Sequence, residues 1–261
     1  MAKNQPYDFP EHFRDFVFMP RFDEAIDALE TMAEPEDWNY KNTPSQHAKP
    51  ILRNYLTYTY RRLAEEKKIS VTSDEEYACF NLGLITPTQE PIYVLLSRNK
   101  LETQQAYWHF WRFCRRGEHD LNRFSSLPEM AHYYDNPASL VYDSRKELRV
   151  NIEHIIGDNI DRFPDPLKAM NQFGLQNLVK GAIDSATERV RRNYKTAIPQ
   201  YYQGGIQLLL PLTLLDPSRA DLALVAERIG DFYRAATCLT LDMAYNNARQ
   251  VARPDRDWLA P

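Results

Sequence analysis

The chain of 261 residues has no excess of basic charge. It contains 32 Lys and Arg against 36 Asp and Glu, which gives a formal net charge of −4 and a pI near 5.9. No positive field therefore extends over the molecule to attract nucleic acid. A nucleic-acid site in such a chain has to be a local basic pocket, and tight binding of duplexes is disfavoured.

Cysteine is scarce, and long apolar runs are missing. Cys79, Cys114 and Cys238 form no CxxC pair and are odd in number, which fits a reducing compartment better than a disulfide framework. The N-terminal residues contain no apolar core of a signal peptide. The longest apolar run, 206–215, is too short for a membrane span and is interrupted by Pro211. These features predict a soluble cytoplasmic protein without a membrane partner.

The motifs of several enzyme classes are also missing. The sequence has no GxxxxGK[ST] loop, no GxGxxG fingerprint, no GxSxG elbow and no HExxH pair. His109, His119 and His132 lack the spacing of metal ligands. We therefore expect neither a metal site nor a cofactor.

The residues that are present predict a folded α+β protein. Hydrophobic residues make up 43% of the chain and aromatic residues 12%, enough for a sizeable core. Helical and strand patterns occur in separate runs, which favours mostly antiparallel sheet packed with several helices. No repeat or Gly/Ser linker interrupts the chain, so we predict an N-terminal arm, 1–19, and one domain, 20–261.

Periodicity predicts the individual elements. Helices are expected at 20–33, 47–67, 175–194 and from Thr240, which is a candidate N-cap. Strands are expected at 77–86, 92–99, 106–114, 206–215, 222–229 and 232–239, with a possible edge strand at 140–142.

Three stretches of the C-terminal half place polar side chains among residues that folding buries, and such groups need partners or a ligand. In the first stretch, a helix would put His154 and Asp158 one turn apart, with Arg162 a turn later. A carboxylate beside an imidazole suits a general acid or base. Arg162 could hold a phosphate, and Asn159 is a further candidate binding residue. The alternative is a helix end in which His154 and Asp158 only bond each other.

The second stretch follows the long helix. Arg191 and Lys195 lie at its C-terminal end, where the helix dipole alone would favour cations. The dipole does not account for Asn193 and Tyr194, or for the aromatic loop expected at 197–205. This stretch could stack a base and hold its phosphate. One face of the helix carries a polar row that continues beyond it: Asp184, Thr187, Arg191 and Lys195.

The third stretch lies within the closing helix. Asn246 and Asn247 together cost about 1 kcal/mol of helix propensity, so stability alone would not select them. Carboxamides read base edges or satisfy buried backbone groups. Asn246 and Arg249 are expected to project away from the buried stripe, so simple exposure is the alternative.

An asparagine within an apolar strand is a weaker candidate. Asn81 needs a partner there, and Gly83 marks a bulge or a close approach of backbone. The aromatic strand at 107–113 could form a stacking platform, but a dense core is the favoured interpretation.

Five blocks are distinctive together: FNLGL at 80–84, HIIGDN and RFP within 154–164, NYKTAIPQYY at 193–202, LLPL at 209–212 and LDMAYNNAR at 241–249. In these blocks the chain resembles the uncharacterised domain-of-unknown-function family 3825, from about Phe16 to Trp258. The resemblance implies a single domain. Relatives joined to cold-shock-type RNA-binding modules imply an RNA setting. No catalytic residue is established for the family, so the resemblance implies no site.

We therefore expect a nucleotide- or RNA-binding domain whose partner is a nucleotide or single-stranded RNA. One alternative is a metal-independent phosphoesterase with His154 as general acid or base. Another is a scaffold whose function is a homo-oligomer interface. The binding hypothesis requires its side chains to meet around one concavity. Their roles would be phosphate binding by Arg162, Arg191 and Lys195, base or sugar recognition by Asn246 and Asn247, and stacking by Tyr194.

Overall fold

The computed structural model describes residues 5–254, 258 and 259, and the chain forms two compact units. The first unit consists of Met1–Asn39 and His47–His132, and the second of Tyr40–Gln46 and Tyr133–Pro261. Each unit has one five-stranded sheet, with helices in the same unit. The α+β class and the mostly antiparallel pairing are confirmed. The predicted arm and single domain stay predictions.

The sheet of the first unit has the strand order β1-β5-β4-β3-β2. Only the edge pair β1 and β5 is parallel; the other pairs are antiparallel. Its strands are β1 Val17–Phe18, β2 Ser70–Val71, β3 Tyr77–Ile85, β4 Pro91–Arg98 and β5 Trp108–Arg115. Its helices are α1 Phe13–Phe16, α2 Phe22–Met32 and α3 Pro50–Glu65.

Local sequence explains why α3 forms where it does. Pro50 occupies the first turn, where its missing N–H costs nothing. The buried residues of α3 recur with the helical period: they include Ile51, Leu52, Tyr55, Leu56, Thr59 and Leu63. The described part of the N-terminal arm packs onto this unit. The backbone oxygen of Pro6 accepts a hydrogen bond from Trp108 (3.2 Å), and that of Pro10 accepts one from Tyr60 (2.7 Å). Residues 1–4 lie outside the described part.

The sheet of the second unit has the strand order β6-β10-β9-β8-β7, and only the pair β6 and β10 is parallel. Thr240 caps the last helix as predicted, by accepting from the N–H of Met243. The strands are β6 Glu147–Val150, β7 Ile198–Tyr202, β8 Gly205–Leu212, β9 Leu222–Ile229 and β10 Phe232–Leu239. The helices are α4 Ile152–Asn159, α5 Asp165–Lys168, α6 Gln172–Arg192 and α7 Leu241–Val251.

Two predictions for the second unit are wrong. The edge strand expected at 140–142 does not form, because a 3₁₀ turn occupies Pro137–Leu140 and the edge strand is β6. The aromatic loop expected at 197–205 is largely strand β7 and its turn, hydrogen-bonded to β8. Pro199 is tolerated because β7 is an edge strand, which needs backbone donors on one side only.

Different helices cover the two faces of this second sheet. Helices α4 and α6 share a hydrophobic core with Leu208 and Leu210 of β8. Side chains alternate along a strand, so Gln207 points to the opposite face, and the register places Gln200 of β7 beside it. Asn247 of α7 donates to Gln200 (3.2 Å). Helix α7 therefore covers the face opposite α6.

The aromatic strand follows the sequence prediction in part. Trp108 and Phe113 of β5 are buried, as a dense core requires, but Trp111 is 40% exposed, so this strand is not covered along its whole length. In the C-terminal tail, Trp258 donates to the backbone oxygen of Thr196 (2.6 Å). Among the described residues, no helix combines the length and apolarity that crossing a membrane requires.

Candidate functional site

His154 lies on α4 in the geometry that the sequence predicts. Its Nδ1 is 3.2 Å from Oδ2 of Asp158, one turn away, and both side chains are at least half exposed. Asn151 caps the helix by accepting from the N–H of His154 (3.1 Å). Gly157 does not interrupt the helix. An acid–base role for His154 stays a prediction, because the same contact is an ordinary pair on a helix surface.

Asn159 and Arg162 form a network that joins the end of α4 to β10. Asn159 is buried; its Nδ2 donates to Ile155 O (2.9 Å), and its Oδ1 accepts from Thr237 (3.0 Å) and from Arg162 (2.5 Å). The Nη1 of Arg162 also donates to Cys238 O (2.5 Å). This network gives both side chains a structural role that sequence reasoning did not assign. Phosphate binding by Arg162 is not needed to explain its position.

Residues 191–195 of the second predicted stretch are exposed. Arg191 pairs with Glu188 (2.5 Å). Asn193 accepts from the N–H of Lys195 (3.1 Å) and so begins a short 3₁₀ helix, which explains the asparagine without a ligand. Tyr194 is 62% exposed. A stacking role for Tyr194 stays a prediction, without the loop that was expected to accompany it.

The expected exposure of the α7 residues is wrong. Asn246 and Arg249 are each only 9% exposed, and Asp242, which sequence reasoning missed, is 1% exposed. These three follow one another at i, i+4 and i+7, so they form a buried polar stripe. Asn246 Nδ2 donates to the hydroxyl of Tyr40 (2.5 Å), whereas its buried Oδ1 makes no hydrogen bond within the described residues. Asp242 and Asn246 of this stripe contact residues 40–42, which belong to the same unit, so the stripe contributes to packing within that unit.

Asn81 has a local partner in the first unit. Its Oδ1 accepts from the N–H of Gly83 (2.9 Å), where the register of β3 against β4 is irregular. Gly83 has φ +70, a left-handed conformation that favours glycine. The predicted bulge is confirmed, and it accounts for the asparagine.

The predicted residues do not share one cavity. Asn246 and Asn247 belong to α7, whereas Arg191 belongs to α6, which packs on the opposite face of the second sheet. Asn81 belongs to the first unit. The expectation of a single concavity is therefore wrong. Periodicity identifies the buried side of each helix but not the face of the sheet on which that helix packs.

A groove that sequence reasoning missed lies between α6 and the edge strand β6. Its first compartment has a volume of about 520 Å³. The apolar part of its lining consists of Tyr142, Leu148, Val150, Ile152 and Ile183. The charged part is balanced and consists of Lys146, Lys180, Arg191, Glu147, Asp184 and Glu188.

A second compartment of about 540 Å³ continues the first. The two share Val150, Ile152 and Lys180, so we describe them together as the α6–β6 groove. The charged lining of the second compartment is unbalanced, with three cations against one carboxylate. These residues are Arg149, Lys180, Arg234 and Glu153.

Lys180 is the cation at which the compartments meet. It is exposed on α6 and makes no ion pair or hydrogen bond with any residue that the structure describes. Arg149 and Arg234, by contrast, pair with Glu147 (2.8 Å) and Glu227 (2.7 Å). Among the described residues, the groove therefore contains one ammonium group without an ion-pair partner, and it lies between two regions whose cations are partly neutralised by carboxylates.

The hydroxyl of Tyr142 is a second polar group at this groove that lacks a partner among the described residues. Its side chain lines the first compartment, is 4% exposed and stacks on Tyr233, with ring centroids 4.4 Å apart. Its hydroxyl is buried and lacks a hydrogen-bond partner among the described residues. Burial raises the pKa of this hydroxyl to about 12, so it stays protonated and can donate. A buried donor without an acceptor costs free energy and is satisfied by a ligand or a water.

One signal in the sequence pointed towards this groove. The predicted polar row on α6 is confirmed for Asp184, Thr187 and Arg191, which all line the first compartment. Extending the row one turn backwards reaches Lys180. Strand β6 was not predicted, so the sequence did not indicate which element lies opposite this polar row.

Acidic, histidine and cysteine side chains do not form a metal centre in the part of the chain that the structure describes, where no three of them gather closely enough to hold an ion. The three cysteines are free and buried. Burial raises the pKa of the Cys238 thiol to about 12 and that of Cys114 to about 11. Thiolates suited to nucleophilic catalysis are therefore not available here.

Comparison with family models gives a match over most of the chain. No curated protein and no solved structure matches the chain. The model of the family described as "Domain of unknown function (DUF3825)" matches residues 29–258, which is most of the chain, and the protein therefore belongs to the DUF3825 family.

Proposed function

We propose that the second unit binds a nucleotide or single-stranded RNA in the α6–β6 groove. The observation that carries the proposal is the charge of the second compartment, where three cations face one carboxylate. Guanidinium and ammonium groups gathered in one cavity favour phosphate. A cluster confined to one groove is compatible with a net charge of −4 over the whole chain.

The present partners of these cations do not oppose the proposal. Both arginine ion pairs of the second compartment are exposed, with side-chain exposures between 41% and 64%. Exposed ion pairs contribute little to stability. A phosphate, whose non-bridging oxygens share its negative charge, can therefore replace a carboxylate at small cost, and Lys180 has no partner among the described residues to lose.

The first compartment suits the rest of a nucleotide. Its volume lies within the range of about 300–1,000 Å³ that small-molecule sites occupy. Its apolar residues offer a surface for a base, and the hydroxyl of Tyr142 offers a donor. Because that hydroxyl is buried, a ligand reaches it only after neighbouring side chains shift. Arg191, which the sequence analysis selected, lies at this compartment.

Fluorescence anisotropy with a labelled RNA of about eight nucleotides tests the proposal at low salt. We expect Arg149→Ala and Arg191→Ala each to weaken binding about tenfold, because each removes a charge-assisted hydrogen bond. Arg228→Ala is the matched control, since Arg228 is exposed at the β9–β10 hairpin outside the groove lining. The proposal fails if neither RNA nor nucleotides bind, or if all three variants behave alike.

One contact supports an enzyme as the second candidate. The 3.2 Å contact between His154 and Asp158 is the orientation that a general base requires. An RNA-cleaving enzyme predicts that His154→Ala abolishes product formation and leaves affinity unchanged. Binding alone predicts that no product appears with either form. Product analysis of labelled RNA by gel electrophoresis separates the two. Self-association as a scaffold and a cytoplasmic location stay predictions.

A further inference from the structure

The α6–β6 groove is longer than a single nucleotide needs. Along α6 its lining extends from Gln176 in the second compartment to Arg191 in the first. At 1.5 Å per residue this length is about 22 Å. Consecutive phosphates of one strand are about 3.4 Å apart along the axis of a duplex, so the groove has room for several stacked nucleotides.

The chemistry of the groove changes along its length. The first compartment has balanced charge, an apolar lining and a tyrosine hydroxyl without a partner, as a base and sugar require. The second compartment has net positive charge and also carries the carboxamides of Asn151, Gln176 and Asn177. Lys180 belongs to both and is committed to neither. An ammonium group at such a junction is placed to contact a phosphate that links two nucleotides.

We infer that the ligand is a single strand of RNA with at least two nucleotides in the groove, and that Lys180 holds the phosphodiester between them. This inference rests on the proposed function and adds the length and path of the ligand. A duplex does not fit the observation, because its bases are paired and stacked inside, so the apolar lining of the first compartment would have no exposed base to contact. RNA and DNA strands share the phosphodiester, so the test includes both.

The test compares ligands of increasing length on the full chain. Affinities are measured for a nucleoside monophosphate, a dinucleotide, an RNA of about eight nucleotides, the matched deoxy strand and the matched duplex. Lys180→Gln is the variant, because Gln keeps an unbranched polar side chain and the helix propensity but removes the charge. Lys168→Gln is its control: Lys168 is also a helical lysine of this unit and pairs with Asp165 (2.8 Å) outside the groove.

We expect the RNA octamer to bind at least about tenfold more tightly than the monophosphate. Lys180→Gln should remove most of this gain, weaken binding of the octamer more than binding of the monophosphate, and reduce the salt slope of RNA binding by about 1. Lys168→Gln should change none of these values.

Three results overturn the inference while the proposed function stands. The first is equal affinity for the monophosphate and the octamer, and the second is a duplex that binds as tightly as the single strand. The third is a Lys180→Gln variant that still binds the octamer more tightly than the monophosphate by the same factor as the wild type. Tighter binding of the deoxy strand contradicts the assignment to RNA. If no ligand binds the wild-type chain, the proposed function itself fails.

Discussion

Two stacked tyrosines of the second unit differ only in what their hydroxyls contact. The hydroxyl of Tyr233 accepts a hydrogen bond from the N–H of Asp143 (3.0 Å), whereas the hydroxyl of Tyr142 is buried without a partner. Burying a polar group without a partner costs about 1–3 kcal/mol. The same substitution at the two positions should therefore have opposite effects on stability.

We expect Tyr142→Phe to raise the free energy of unfolding by about 1 kcal/mol and Tyr233→Phe to lower it by about as much. Urea unfolding followed by circular dichroism measures both. If the hydroxyl of Tyr142 serves a ligand, the stabilised variant binds RNA several times more weakly, as expected where function costs stability. A Tyr142→Phe variant that is less stable than the wild type would show that the hydroxyl has a partner in solution.

At this scale the sequence identified polar residues that need partners, but it did not identify the partners. Asn81, Asn159, Asn193 and Asn246 were all selected because asparagine is costly where they lie. Each makes a contact within the protein. A ligand and an internal partner satisfy the same carboxamide, so composition alone does not separate them. Tyr142 escaped selection because a tyrosine in an apolar setting is ordinary.

Glycine has opposite consequences in two elements of this protein. Gly83, in the bulge of β3, has φ +70, which strains an alanine at this position. The Cβ of that alanine would lie 3.1 Å from the hydroxyl of Tyr55, which donates to Leu82 O (2.8 Å). A Cβ at Gly181, within α6, would meet nothing within 4 Å. Strain therefore opposes alanine at the first position, and helix propensity favours it at the second.

We expect Gly83→Ala to lower the free energy of unfolding by about 1–3 kcal/mol and Gly181→Ala to raise it by about 0.5–1 kcal/mol. Thermal or urea unfolding of the two variants beside the wild type measures the difference. Equal shifts of the same sign would contradict the bulge geometry.

Helix α7 holds the segment 40–46 through one carboxylate. Asp242 is buried, and its two oxygens accept from the N–H groups of Lys41 and Asn42, each at 3.0 Å. We expect Asp242→Ala to lower the free energy of unfolding by about 2–3 kcal/mol, because two donors lose a charged acceptor. It should also speed hydrogen exchange of these two amides, measured by NMR or mass spectrometry. Asp165→Ala, at an exposed carboxylate, is the control and should leave both amides protected.

Periodicity predicted most elements because they are long and patterned. β9 and β10 were located at their observed bounds, and α3 and α6 within three residues at each end. The failures were short edge strands. β6 has four residues with two charges, and β7 contains Pro199, so neither shows the apolar alternation of a strand. Their pairing comes from tertiary contacts with β10 and β8, which a local pattern does not contain.

At the scale of the whole molecule, carboxylates in both units set the response to acid. Hydrogen bonds from Arg145 lower the pKa of Asp143 to about 2, and those from Arg112 lower the pKa of Asp120. A carboxylate whose pKa is lower in the folded state contributes stability that is fully present above the unfolded pKa, near 4. That stability is lost as the pH falls through the folded pKa.

We therefore expect the urea midpoint to fall as the pH is lowered from about 4 to 2. Circular dichroism at a series of pH values measures it, and Asp143→Asn should reduce the slope. These pairs are in partial contact with solvent, so added salt should weaken the dependence as well. A midpoint that stays constant down to pH 2 would contradict the lowered pKa values.

The path of the chain limits how this protein can be divided. Seven residues, 40–46, belong to the second unit although the chain on both sides of them belongs to the first. A truncated protein that starts at Tyr133 would lack the hydroxyl that Asn246 contacts and both backbone N–H groups that donate to Asp242. In this truncated protein the last helix would lack the partners of two side chains that are buried in the full chain, Asp242 and Asn246. Anyone wishing to work with the second half alone would need to graft those seven residues ahead of it, or supply them as a synthetic peptide.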